Sequence, residues 1–223
     1  SRESQEELTV ISQQRASDAR QSGRLTDEII PIVNGAIIIS SDGCIREGTT
    51  AAALADLKPV FRADGSVTAA TSSPLTDGAS ATLVTSEAYA KANGLPILAR
   101  IKSIAVAGCA PEIMGIGPVS AIMKALNRAG LSLADIDIIE LNEAFAAQAL
   151  SCVDELALGG QEMDMDKTNI DGGALALGHP LGATGARITG KAAALLKREG
   201  KQFALSAQCI GGGQGIATLL EAV

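Results

Sequence analysis

Aromatic side chains are nearly missing from this sequence: 223 residues contain no Trp, one Tyr and three Phe, 2% in all. A core must then be assembled from Ala, Ile, Leu and Val, at about 25 cal/mol per Å² of buried apolar surface. A chain so reliant on Ala gains from extra interface, a mild pointer to oligomers. Positive charge is scarce too. Eighteen Lys and Arg face 25 Asp and Glu, a net charge of −7, so a phosphate backbone is repelled and nucleic acid is not an expected partner. A small phosphorylated ligand stays open, served by a local arginine or a helix N-terminus. Histidine occurs once, and the four cysteines stand apart at 44, 109, 152 and 209. Neither metal-ligand spacing nor a disulfide framework is present, so no metal is expected and a reducing cytoplasm is. No apolar run reaches ~18 residues, which leaves no helical membrane span. No secretory leader is visible at the start. The chain opens without Met, and Ser1 to Ser4 read as the cap and first turn of a helix, as a processed or truncated piece would.

What is present suits a packed protein. Hydrophobic residues make up 47% and charged residues 19%, and the length fits one large domain or two small ones. Residues 2 to 22 read as a polar helix with a thin apolar stripe (Leu8, Ile11, Ala16, Ala19) stopped by Gly23. Asn34-Gly35 within the apolar run Ile29 to Ile39 predicts a hairpin turn, with Pro31 weakening its first strand. Residues 40 to 74 read as a loop-rich excursion. From 79 the rhythm turns regular. Strands are expected at 79–85, 97–107, 136–141, 203–208 and 215–220, and helices at 86–93, 118–129, 143–158 and 186–199. The helix at 118–129 is the clearest, with Pro118 at its first position, Gly130 after its last, and Val119, Ile122, Met123 and Leu126 on one face. This order predicts an α/β layered domain with a mixed sheet.

Three polar signatures stand out against that background. Asn142-Glu143-Ala144-Phe145-Ala146 carries an amide, Gly178-His179-Pro180 an imidazole, and Cys209-Ile210-Gly211-Gly212-Gly213 a thiol. The glycines around His179 free the backbone for conformations that side chains forbid and let a ligand come close. A neutral imidazole there suits deprotonating a thiol or stabilising an enolate; the plainer reading is a structural histidine at a turn. Cys209 ends a strand beside free backbone N–H groups, which suits acid/base or nucleophilic chemistry, with the Gly211 N–H aimed at an oxyanion. The plainer reading is a small buried hydrophobe before a hairpin. Asn142 alone reads first as a helix N-cap and second as an amide holding a water or a carbonyl oxygen. Cys44, Cys109 and Cys152 need no role beyond packing. The glycine runs match neither a P-loop nor a dinucleotide fingerprint.

Taken together and in this order, the three signatures resemble the C-terminal half of a thiolase. The carrying strings are Asn142 to Ala146, Gly173 to Arg187 (GALALGHPLGATGAR) and Cys209 to Gly213, with Thr68 to Ala79 and Met114 to Pro118 as further matches. The resemblance implies two similar β-α-β-α-β-α-β-β halves with an inserted loop domain. It implies for this chain the C-terminal half of that layered fold, with a mixed five-stranded sheet, plus part of the loop domain. Residues 1–74 would belong to the loop domain, 75–96 to the end of the N-terminal half, and 97–223 to the C-terminal domain.

The resemblance also implies chemistry: thiolytic cleavage of a 3-ketoacyl-CoA to acetyl-CoA and a shortened acyl-CoA, as in bacterial fatty-acid β-oxidation, through an acyl-enzyme on cysteine. His179 would activate the nucleophilic thiol, Cys209 would exchange the proton of the enolate, Asn142 would fix an oxyanion-hole water, and the Gly211 N–H would serve the other hole. Arg46, Leu57, Phe61, Ala69 and Ser73 would contact coenzyme A, and Phe145 would wall the pocket. Coenzyme A is then a substrate and no resident cofactor is implied. A homodimer or tetramer is implied for the intact enzyme. In this family the nucleophilic cysteine lies in the first half, upstream of Ser1. The chain alone is therefore expected not to form the acyl-enzyme and to need an N-terminal half as the same polypeptide or a partner chain. An acetoacetyl-CoA thiolase of biosynthetic condensation (an acetyl-CoA acetyltransferase) and a non-catalytic CoA-binding or interaction module are the alternatives. A ketosynthase-type condensing enzyme would place Asn-x-Phe-Gly where Cys209 stands.

Overall fold

Ser1 caps the first helix, its Oγ accepting from Ser4 N at 3.1 Å, as the sequence predicts. The computed structural model describes residues 1–223. In chain order the elements are α1 (Arg2–Gln21), β1 (Ile32–Asn34), β2 (Ile37–Ile39), α2 (Ala51–Ala55), α3 (Glu87–Ala92), β3 (Arg100–Gly108), α4 (Gly117–Ala129), β4 (Ile138–Leu141), α5 (Ala146–Leu158), α6 (Ala174–Leu177), α7 (Leu181–Glu199), β5 (Phe203–Ile210) and β6 (Gln214–Glu221). They fall into two units. The first comprises Ser1–Thr76, Glu143–Ala147 and Ile170–His179, and the second Asp77–Asn142, Gln148–Asn169 and Pro180–Val223. No helix is long and apolar enough to cross a membrane.

In the first unit α1 buries a face that is largely polar: Gln5, Thr9, Ser12 and Gln13 lie beside Leu8, Ala16 and Ala19. Ile11, expected on the apolar stripe, is 45% exposed. The stripe fails there because α1 meets mostly backbone. Thr9 Oγ1 donates to Ala70 O and Gln13 Nε2 to Leu175 O. Buried polar side chains are stable once so paired. The apolar remainder is a small cluster of Ala16, Ala19, Leu25, Ile45 and Ala176, with Ile29 and Leu177 against it. Arg2 holds the end of α2 by donating to the carbonyls of Leu54, Ala55 and Leu57. The predicted hairpin exists, but Asn34 pairs with Ile37, so the turn is Gly35-Ala36 rather than Asn34-Gly35. Gly35 takes φ +62°, the conformation a two-residue turn demands of its first member.

The second unit is built on a mixed sheet of order β3-β6-β5-β4, in which only β4 and β5 are parallel. Helix α7 covers the face bearing Ser206 and Gln208: Thr189 Oγ1 lies 3.0 Å from Ser206 Oγ. Helix α4 covers the other face, where Gly117 and the Gln214-Gly215 backbone interlock. The core is aliphatic, with Ile122, Leu126, Ile136, Ile139, Leu156, Leu195, Leu196, Leu205 and Leu219 all under 2% or at 2% exposure. Gly130 ends α4 in the left-handed region at φ +68°, as its position in the sequence predicts.

Three expectations need correcting. The main sheet has four strands, not five. The segment 79–85, predicted as a strand, is irregular and exposed. No strand stands beside it, so its polar side chains bind helix backbone instead: Ser80 Oγ donates to Ala183 O at 2.6 Å and Thr82 Oγ1 to Ala186 O at 3.1 Å. Finally, α5 starts at Ala146, four residues after Asn142, so Asn142 is not its N-cap. The glycine-rich stretch also holds the short helix α6, and α7 begins five residues earlier than the predicted 186, because Pro180 suits a helix start.

Candidate active site

Within the first unit, His179 ends a segment whose backbone is pressed against its surroundings. Gly172 has φ +86°, and a Cβ there would lie 2.6 Å from Ala16 Cβ. Helix α6 follows, with Ala174, Leu175 and Ala176 buried. Gly178 has φ +91° and a Cβ on it would meet Thr76 Oγ1 at 2.4 Å. The next residue, His179, donates its backbone N–H to that same Oγ1 at 3.2 Å, while Thr76 Oγ1 donates to Pro74 O. The imidazole is thus carried on a backbone fixed by Thr76, and it is half-buried.

The coenzyme A residues implied by the resemblance also lie in this unit. Segments 71–73 and 144–146 run antiparallel: Ser73 N donates to Ala144 O at 3.0 Å, Ala146 N to Thr71 O at 2.9 Å, and Ser72 bridges Phe145. This brings Ser73 and Phe145 together. Phe61 joins them, its ring edge-on to Phe145 with centroids 6.1 Å apart. Phe61 is 72% exposed and lines an open hollow of about 390 Å³ with Arg62, Asp64, Gly65, Ser66 and Val67. Arg46 is tied elsewhere, its N–H donating to Gln13 Oε1 at 2.7 Å. Gln13 also reaches Leu175 O, so one amide links the Arg46 loop to the segment ahead of His179. Leu57 is anchored through its carbonyl to Arg2, and Ala69 is exposed.

Asn142, Cys209 and Gly211 belong to the second unit. Asn142 directly follows β4 and is 1% exposed. Its N–H donates to Ala207 O at 2.9 Å, two residues before Cys209, so the parallel pairing of β4 with β5 brings this amide and this thiol to one end of the sheet. On the outer side of β4, Asn169 holds Leu141 with both ends of its amide. Leu141 N donates to Oδ1 at 3.0 Å and Nδ2 donates to Leu141 O at 2.8 Å. Asn169 is the one non-glycine residue with positive φ, at +49°, a conformation asparagine tolerates better than most. The amide imitates a fifth strand at the rung before Asn142.

Cys209 is 7% exposed and pairs across the hairpin with Gly215. Burial pushes its thiol pKa up, with a smaller upward push from Cys109 against the lowering effect of a backbone hydrogen bond. At neutral pH it is a protonated thiol, fit to give a proton rather than to attack. Cys152, deeper still, is pushed up to about 12, mainly by burial. The turn after Cys209 is locked: a Cβ on Gly213 would lie 2.4 Å from Cys109 O, and Cys109 N donates to Gly213 O at 2.8 Å. Gly211 is exposed, with nothing near a Cβ position.

Sequence reasoning passed over Thr76, Asn169, Cys109 and Glu143 as site residues. Thr76 acts on the backbone of His179, Asn169 on that of Leu141 and Cys109 on that of Gly213, contacts that no side-chain motif advertises. Glu143 had a visible signal, an acid amid the apolar run from Ile138 to Ala147.

Comparison with known proteins identifies the family. The family model "Thiolase, C-terminal domain" matches residues 95–222 and "Thiolase, N-terminal domain" matches 1–88. A 3-ketoacyl-CoA thiolase of Shewanella denitrificans is 54% identical over 100% of this chain and 59% of its own length. One of Vibrio cholerae is 52% identical over 99% of this chain and 58% of its own. Among solved structures, Bacillus anthracis acetyl-CoA acetyltransferase matches with a TM-score of 0.94 at 44% identity, covering 100% of this chain and 56% of that one. Human mitochondrial 3-ketoacyl-CoA thiolase gives 0.90 at 43%, with the same shares. The chain spans a little over half the length of the relatives it matches, and over that span it belongs to the thiolase family.

Proposed function

We propose that these residues are the C-terminal part of a thiolase-type acyltransferase that cleaves 3-ketoacyl-CoA with coenzyme A in β-oxidation. In this reading a cysteine thiolate from an N-terminal half adds to C3 of the substrate, assisted by His179 as base. The C2–C3 bond breaks and leaves the enolate of acetyl-CoA, which takes a proton at C2 from the Cys209 thiol. The acyl-enzyme thioester then passes its acyl group to the sulfur of coenzyme A. Asn142, through a bound water, and the Gly211 N–H stabilise the oxyanions. Arg46, Leu57, Phe61, Ala69, Ser73 and Phe145 receive coenzyme A, which is substrate here rather than resident cofactor. The enzyme would work as a homodimer or tetramer in the cytoplasm, whose reducing conditions suit four free cysteines.

The observation that carries this reading is the chemistry at Cys209: a buried thiol with raised pKa, set by strand pairing beside Asn142. An acid for the enolate needs that protonated state. The bacterial 3-ketoacyl-CoA thiolases of Shewanella denitrificans and Vibrio cholerae, at 54% and 52% identity over 100% and 99% of this chain, support the degradative substrate.

The test is thiolysis by the full-length protein, followed at the thioester absorbance with acetoacetyl-CoA and a longer 3-ketoacyl-CoA. The wild type should cleave both, and His179→Asn or Cys209→Ser should lower kcat on the order of 10²- to 10⁴-fold. A wild type that cleaves neither substrate, or a Cys209→Ser enzyme of undiminished kcat, refutes the reading. The 223-residue chain alone should remain unacylated by mass spectrometry; acylation of Cys44, Cys109 or Cys152 would contradict the assignment of the nucleophile to another segment.

A further inference from the structure

Glu143 follows Asn142 in the chain, yet its side chain serves a different segment of the first unit. The residue is 2% exposed. Ser12 Oγ donates to its Oε2 at 2.7 Å, and Leu175 N donates to the same oxygen at 3.2 Å. Ser12 Oγ in turn accepts from Gly173 N at 3.0 Å. Carboxyl, hydroxyl and two peptide N–H groups thus close a cradle around residues 173 to 175. Gly173 is what allows it, because a Cβ there would lie 2.2 Å from Glu143 Cδ and 2.3 and 2.4 Å from its oxygens. Six residues later the same stretch of backbone is gripped again, where His179 N meets Thr76 Oγ1.

Stability alone is a weak reason for a carboxyl at this place. Burying one carries a desolvation cost that an apolar side chain avoids. What the carboxyl supplies is direction: its two bonds fix where the backbone enters α6 and hence how the chain arrives at Gly178 and His179.

We propose that Glu143 is a positioning residue, holding through Ser12 and Leu175 the segment that presents the His179 imidazole. The inference rests on the reading of His179 as the base in thioester chemistry, and it is separable from it by experiment. In the full-length protein, Glu143→Ala lets the segment relax. It should lower kcat for thiolysis on the order of 10-fold or more, while KM for the acyl-CoA stays within about 2-fold, because misplacing a catalytic group costs rate rather than binding. Glu143→Gln keeps the volume and one acceptor oxygen and should restore most of the rate. Ser12→Ala removes the hydroxyl that joins the carboxyl to Gly173 N and should act in the same direction; it decides the question should Glu143→Ala fail to fold. The second readout needs no turnover. The imidazole signals of His179, assigned by their loss in His179→Asn, should shift or broaden in Glu143→Ala and in Ser12→Ala. If the wild type cleaves no 3-ketoacyl-CoA, the acyltransferase reading falls and these signals alone decide the positioning role. Folded variants with unchanged His179 signals, or with kcat within about 2-fold of wild type in an active enzyme, overturn it.

Discussion

Replacing Gly215 by Ala tests how closely the sheet and α4 are fitted beside Cys209. A Cβ on Gly215 would lie 2.1 Å from Gly117 C, 2.2 Å from Gly117 O and 2.5 Å from Pro118 N. Every one of those atoms is backbone, so no side chain can swing aside. The contact is reciprocal, since a Cβ on Gly117 would meet Gln214 O at 2.4 Å. Ordinary contact begins at 3.4 Å, and helix and strand must therefore part by over an ångström. Overpacking of a closed interior costs about 1–3 kcal/mol, and a rigid backbone clash belongs at the upper end. For a chain of this size each kcal/mol moves the melting temperature by about 2–4 °C, so Gly215→Ala should melt roughly 5–10 °C below wild type by circular dichroism. Gly182→Ala is the matched control. It lies in α7 with ordinary φ and nothing within 4 Å of its Cβ position, and it should gain about 0.4–1 kcal/mol by restricting the unfolded chain. Parting α4 from β6 also uncovers Cys209, so iodoacetamide should modify that thiol faster in Gly215→Ala. A Gly215→Ala protein melting within about 1 °C of wild type, with Cys209 alkylated no faster, refutes the reasoning.

Other expectations follow from the cysteines and from Asn169. Alkylation mapped by peptide mass should modify the half-buried Cys44 and Cys109 first, Cys209 more slowly and Cys152 last, in line with burial and the raised thiol pKa values of the last two. Cys152 holds its proton more tightly in the folded chain than at the ordinary value of 9.0. Its contribution to stability is thus complete below about pH 9 and is lost as pH rises toward about 12, which a urea midpoint series should show as a decline that Cys152→Ala lacks. Asn169→Ala deletes both amide bonds to Leu141 and puts Ala at φ +49°; it should cost roughly 2–3 kcal/mol in urea denaturation, and an unchanged midpoint would mean the edge of β4 is held by other means.

The second unit was the more legible part of the chain. Its helix α4 announces itself by Pro118, Gly130 and the spacing of Ile122 and Leu126, because a surface helix on a sheet repeats every 3.6 residues. Strands β5 and β6 are equally plain, since buried Ala, Leu and Ile run up to the Gly211-Gly213 turn. Strand 79–85 misled because its residues suit a sheet, while pairing needs a neighbour that local composition cannot reveal. Asn142 misled in the same way: it stands where a cap would stand, yet its backbone is taken by Ala207, a bond 65 residues away in sequence. In the first unit, α1 hid its buried face because Gln5, Ser12 and Gln13 look like solvent residues until their carbonyl and carboxyl partners are known. The site signatures were legible as strings of residue types. Thr76 and Asn169, which hold the neighbouring backbone, work through peptide atoms and leave no such mark, whereas Glu143 stands inside one of the signatures without its partner Ser12 being visible.

The sheet's two margins are unlike. Asn169 fills one rung outside β4 with its own amide, and Ile139 N is taken by Lys167 O, which shuts that flank to any newcomer. At the opposite flank β3 is open to solvent along most of its length and carries Ile101, Ile104 and Val106 at 39–46% exposure. Lys124 and Arg128, donating to the carbonyls of Val106 and Ile104, guard it. Edge cations of this kind discourage casual pairing. The two flanks of this sheet are thus closed by different means, one by an amide standing in for a strand and the other by cations, with Arg100 and Lys102 on β3 itself adding to Lys124 and Arg128.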